Sequence, residues 1–139
     1  MFKRKIMAAL YTSLIAIVVV SVVWPFPFEN EDWVFYVFIY ATYIVPVIFI
    51  YGIVASITSD KISSYTKAYP NMLSLLLHII FGIASILPYG VLFDHLLFLD
   101  MSLSEILINP ITTLSTTFAI IFFFIDYILK RGRGVLNGK

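Results

Sequence analysis

His78 lies inside a long apolar segment and is the residue best suited to chemistry in this chain. Ser74, Gly82, Ser85 and Tyr89 accompany it at the spacing of one helix face, which predicts a stripe of small or polar side chains. An ionisable residue at membrane depth is a candidate for proton transfer or ligand binding. Its alternative role is a hydrogen bond that fixes the packing of two helices, and the absence of a carboxylate at matching depth favours that role.

Four titratable residues within positions 94–105 include the ligand types of a divalent metal site. Their spacing matches no metal-site signature, so an acidic surface is the favoured interpretation. The chain has no cysteine, which excludes disulfides, thiolate metal sites and thiol redox chemistry. No nucleophile–base pair is recognisable either, and we therefore predict no enzyme, no catalytic residue, no cofactor and no bound metal. The four titratable residues are Asp94, His95, Asp100 and Glu105.

Composition indicates the environment of these side chains. The chain has 139 residues, of which 61% are hydrophobic and 12% charged, whereas soluble domains carry about 25% charged residues. Four apolar segments reach the length of about 20 residues that a transmembrane helix needs. Because backbone groups in lipid must bond to each other, we predict an all-α membrane protein with four transmembrane helices in an up-down bundle. The predicted spans are about 6–24, 33–57, 72–93 and 106–129, with an inner loop at 58–71 and a tail at 130–139.

The charged residues predict the orientation of the spans. Every Lys and Arg lies before the first span, in loop 58–71 or after the fourth span. The connections after the first and third spans contain Asp and Glu but no Lys or Arg. The positive-inside rule therefore places both termini in the cytoplasm. Asp126 lies four residues before Lys130, the spacing of a helical ion pair, and we expect a salt bridge between them. The formal net charge of +1 gives no sign of a nucleic-acid partner.

Two prolines interrupt the apolar segments. Pro46 lies in the second predicted span and Pro88 in the third. Proline lacks the backbone N–H and clashes with the preceding turn, so we predict a kink in each helix. Such breaks form substrate sites in some transporters, and they are also common in spans with no transport role.

The segment 45–61 and the start of the third span resemble a family of small, uncharacterised four-helix membrane proteins of Bacillus-type bacteria. The shared features are a basic start, a second helix ending in a Tyr-Gly…Ser…Ser-Asp pattern, here within 51–60, and a His near a Phe-Gly pair, here within 78–82. The resemblance covers about the central half of the chain. It implies a bacterial plasma membrane and no activity, so it supplies no catalytic residue.

Two functions follow from these observations. The favoured one is a non-enzymatic accessory or interaction protein that acts through helix–helix contacts in the lipid bilayer, with a second copy or with another membrane protein. The alternative is a small oligomeric transporter or channel that uses the stripe of Ser74, His78, Ser85 and Tyr89. Four-helix multidrug exporters are similar in length, but their mechanism needs a Glu in the first helix, and the first span has no carboxylate.

Overall fold

The computed structural model describes residues 2–23, 32–66, 68–93 and 102–136, without the side chains of 92, 93, 103 and 133–136. In these ranges the regular structure consists of helices and contains no strand. The elements in chain order are α1 (Phe2–Val23), α2 (Trp33–Val47), a π-helical turn (Ile48–Gly52), α3 (Ile53–Ser64), α4 (Pro70–Ala84), α5 (Ile86–Phe93), α6 (Leu103–Ile108) and α7 (Pro110–Leu136).

Among the described residues, four stretches of helix are long and apolar enough to cross a membrane, which confirms the predicted all-α class and the number of apolar helices. The up-down arrangement of the helices stays a prediction. The stretches are Phe2–Val23, Trp33–Ser64, Pro70–Val91 and Pro110–Gly132.

The second stretch stays helical into the segment that was expected to form the inner loop. Ser63 and Ser64 donate their hydroxyl protons to the carbonyls of Asp60 and Lys61, at 3.1 and 2.7 Å. These local bonds satisfy polar side chains without breaking the helix, so the helix continues to Ser64.

The chain forms two compact units, Met1–Val54 with Phe124–Lys139, and Ala55–Phe123. In the first unit, α1 packs against α2 and the π-helical turn. The buried face of α1 consists mainly of small residues, which allow helix backbones to approach closely. Its buried members after the first turn are Ala8, Ala9, Thr12, Ser13, Ala16, Ile17, Val20 and Ser21.

Helical hydrogen bonding changes near both prolines. The π-helical turn Ile48–Gly52 begins two residues after Pro46. Pro88 cannot donate to the carbonyl four residues earlier, and the α-helical pattern is interrupted at Ser85, whose N–H donates to the carbonyl of Gly82 at 3.4 Å. A local change in helical hydrogen bonding therefore accompanies each proline. The kinks in the two helices stay predictions.

Candidate functional site

His78 is buried in α4 and both nitrogens of its ring have partners. Nδ1 lies 2.7 Å from the carbonyl oxygen of Ser74, and Nε2 lies 3.1 Å from the hydroxyl of Ser56 on α3. Only 3% of His78 is exposed. Because a carbonyl oxygen can only accept, Nδ1 carries a proton and donates it. In the neutral ring Nε2 then accepts the hydroxyl proton of Ser56, so the imidazole joins α4 to α3.

Aromatic rings of α7 pack beside the imidazole. The ring centroid of Phe123 lies 5.4 Å from that of His78, with the two rings edge to face at 63°. Phe122 is buried, and its ring centroid lies 6.3 Å away. The imidazole therefore has polar groups of α4 and α3 at its nitrogens and apolar rings of α7 beside it. This arrangement fixes the orientation of the imidazole ring.

Gly82, one turn after His78, sets the distance between α4 and α7. A Cβ added to Gly82 would lie 2.7 Å from the Cα of Thr116 and 3.1 Å from the Cβ of Ala119. No real side chain fits at that distance, so α4 and α7 touch through their backbones here. The spacing seen in the sequence thus serves close helix packing at this position.

The members of the predicted stripe make local contacts along their own helix. Ser74 contributes its carbonyl to His78, whereas the hydroxyl of Ser85 donates to the carbonyl of Gly82 at 2.7 Å. The backbone N–H of Tyr89 donates to the carbonyl of Ser85 at 3.2 Å, and the Tyr89 side chain is half-buried. Ser56 is the partner that the stripe did not include. Its one signal in the sequence is the small-residue spacing of Gly52 and Ser56, which favours close helix approach.

A second polar cluster joins the start of α1 to α7. The Nε atom of Arg4 lies 2.7 Å from one carboxylate oxygen of Asp126, and the Nζ atom of Lys5 lies 2.8 Å from the other. Lys5 is fully buried. The expected pair of Asp126 with Lys130 is therefore wrong, because Asp126 lies on the packed side of α7 and Lys130 is exposed.

The position of Asp126 has an electrostatic reason. The first turn of α1 contains no acidic residue and carries Lys3, Arg4 and Lys5, although a helix N-terminus favours negative charge. The carboxylate of Asp126 supplies that charge from another helix. Local spacing could not reveal this pairing, since Lys5 and Asp126 are 121 positions apart.

The buried face of α1 also contains three unpaired hydroxyls. The side-chain oxygens of Thr12, Ser13 and Ser21 have no hydrogen-bond partner among the described residues. All three residues lie on the buried face of α1. A buried hydroxyl without a partner costs free energy, so these side chains do not stabilise the fold through hydrogen bonds.

The metal prediction concerns a part of the chain that is only partly described. Asp94, His95 and Asp100 lie outside the described residues, and Glu105 is used in a helix cap. Its Oε2 atom accepts the N–H of Ser102 at 2.6 Å and the hydroxyl of Ser102 at 2.7 Å. These bonds from the Ser102 side chain and backbone lower the pKa of Glu105. Within the described ranges, no group of three His, Asp or Glu residues could hold a metal ion.

No protein-family model, curated protein or solved structure matches this chain. The resemblance to the four-helix proteins of Bacillus-type bacteria therefore stays a prediction. Function has to be argued from the contacts themselves, and the contacts around His78 and Asp126 are those that tie helices together.

Proposed function

We propose that this chain is a non-enzymatic integral membrane protein that acts through helix–helix contacts with another membrane protein or with a second copy. The proposal includes a bacterial plasma membrane, which rests on the resemblance alone, and cytoplasmic termini, which the distribution of basic residues supports. A reporter enzyme fused after Lys139 tests the orientation, and activity on the outer side of the membrane would contradict it.

The observation that carries the proposal is the engagement of both His78 nitrogens by Ser74 and Ser56. A histidine that relays protons needs a nitrogen that can exchange its partner with water or with another titratable group. The two ring nitrogens of His78 instead contact a helix carbonyl and a serine hydroxyl, and phenylalanine rings pack beside the imidazole. These contacts favour a packing role and give the transporter alternative less support.

The exposed surface of α7 offers a site for contact with another helix. Thr113 and Thr117 are exposed and lie one turn apart within the stretch Pro110–Gly132. Their hydroxyls donate to the carbonyls of Asn109 and Thr113, at 3.1 and 2.8 Å. Small residues with hydroxyls at this spacing are typical of interfaces between membrane helices, because they allow close approach and their oxygens still accept hydrogen bonds. We propose this threonine pair as the partner contact.

Site-specific photo-crosslinking in intact membranes tests the proposed contact. A small aliphatic diazirine amino acid at position 117, chosen because it adds little volume to the proposed contact, should give one discrete crosslinked species. The matched control is the same analogue at Val91, which is 76% exposed and also lies in a membrane-capable stretch. Thr113→Ile should weaken the crosslink from position 117, because the larger side chain keeps a partner helix away. Equal yields from positions 117 and 91 would contradict the proposal.

A further inference from the structure

Exposed cations from both ends of the sequence lie close to the Asp126 ion cluster. Lys3 precedes Arg4 and Lys5 in the first turn of α1, and its side chain is exposed. Lys130 and Arg131 follow Asp126 by about one turn of α7 and are also exposed. Because Arg4 and Lys5 both bind Asp126, the start of α1 and this turn of α7 are held next to each other.

The charge of this region is strongly positive. Within the turns that contain Lys3, Arg4, Lys5, Lys130 and Arg131, Asp126 is the one acidic residue among those described. Gly132 follows the two exposed cations of α7 and is itself exposed, and a Cβ added to it would meet nothing within 4 Å among the described residues. Cations in such a group repel each other, and a bound anion would remove that repulsion.

We propose that Lys3, Lys130 and Arg131 bind the phosphate of an anionic lipid headgroup. Lys supplies a point charge for phosphate, and Arg can donate two parallel hydrogen bonds to it. The site lies near the ends of two helices that are long and apolar enough to cross a membrane, Phe2–Val23 and Pro110–Gly132. Lipid phosphates are concentrated at that level of a bilayer, which favours a lipid over a free anion.

The strength of the site follows from the number of cations. Each Lys or Arg near an anionic surface contributes an attraction that corresponds to about a fivefold change in affinity. Lys130→Gln should therefore weaken the preference for anionic lipid about fivefold, and the triple change Lys3→Gln, Lys130→Gln and Arg131→Gln about a hundredfold. Added salt should reduce the preference of the native chain, because the exposed cations are screened.

Native mass spectrometry of the full-length protein measures this preference. The protein is released from nanodiscs that contain equal amounts of phosphatidylglycerol and phosphatidylcholine, and the retained lipids are counted. We expect the native chain to retain phosphatidylglycerol selectively, and Lys130→Gln to lose part of that selectivity. Lys61→Gln is the matched control, since Lys61 is exposed on α3 and its replacement changes the charge equally.

Three outcomes would overturn the proposal. The native chain retains both lipids equally, or Lys61→Gln reduces selectivity as much as Lys130→Gln. The third is that inorganic phosphate displaces the lipid completely while chloride at the same ionic strength does not, which would indicate a site for free phosphate. Circular dichroism establishes that each variant is folded, and Lys130→Gln provides the test if the triple variant does not fold.

Discussion

The Nζ atom of Lys5 lies 2.8 Å from the Oδ2 atom of Asp126, and Lys5 is completely buried. The contact ties the first turn of the first helix to the last helix. A buried ion pair adds little net stability compared with apolar residues, but the loss of one partner leaves a charge that has already been removed from water. The pair therefore makes the arrangement of these two helices sensitive to a single change.

Asp126→Asn should destabilise the fold by about 3 to 5 kcal/mol, because it leaves the buried ammonium of Lys5 without its carboxylate. The triple variant Arg4→Met/Lys5→Met/Asp126→Leu should lose much less, since it removes all three charges of the cluster and retains most of the side-chain volume. Thermal unfolding in detergent, followed by circular dichroism, compares the three proteins. An Asp126→Asn variant as stable as the native chain would show that the ion cluster does not hold the helices.

His78→Leu should destabilise the fold by about 1 to 2 kcal/mol, because it removes the bonds to Ser74 and Ser56. His78→Gln should lose less, since its amide both donates and accepts hydrogen bonds. Thermal unfolding in the same detergent measures the difference. Equal stability of the two variants would count against a hydrogen-bonded packing role.

Gly82→Ala should destabilise the fold by about 1 to 3 kcal/mol, because the new Cβ would lie 2.7 Å from the Cα of Thr116 and would separate the helices. Gly132→Ala is the control within the last helix. Its Cβ would meet nothing within 4 Å, and alanine favours a helix over glycine by about 1 kcal/mol. We therefore expect the two alanine variants to shift the melting temperature in opposite directions, and shifts of the same sign would contradict this packing.

Thr12→Val should leave stability unchanged or raise it by about 1 kcal/mol, because the hydroxyl of Thr12 is buried and has no partner among the described residues. Thr112→Val is the matched control. Thr112 is also buried, but its hydroxyl donates to the carbonyl of Ile106 at 2.8 Å. Melting temperatures should therefore fall for Thr112→Val and not for Thr12→Val, and a larger loss for Thr12→Val would reveal a partner for its hydroxyl.

The sequence predicted the structural features that depend on residues close to each other along the chain. Four apolar segments of sufficient length predicted four long helices, because a helix satisfies its own backbone groups within one segment. The spacing of Ser74 and His78 likewise predicted a shared face, and the carbonyl of Ser74 accepts a bond from His78.

Features that depend on contacts between distant segments could not be predicted in this way. Asp126 has a good helical partner four residues later, yet Arg4 and Lys5 bind it from the other end of the chain. The bond between His78 and Ser56 also joins two helices, and no spacing within either helix specifies it. The sequence placed Gly82 on the same helix face as His78, but it could not identify Thr116 as the residue that approaches it.

The central claim is that the polar groups inside the apolar helices serve packing and not transport. Proton flux into liposomes tests it most directly, with the native chain and His78→Ala reconstituted at equal density and with protein-free liposomes as the background. We predict that both proteins give the background rate, because His78 is bonded on both nitrogens and only 3% exposed. A flux above background in the native chain that His78→Ala abolishes would contradict the claim.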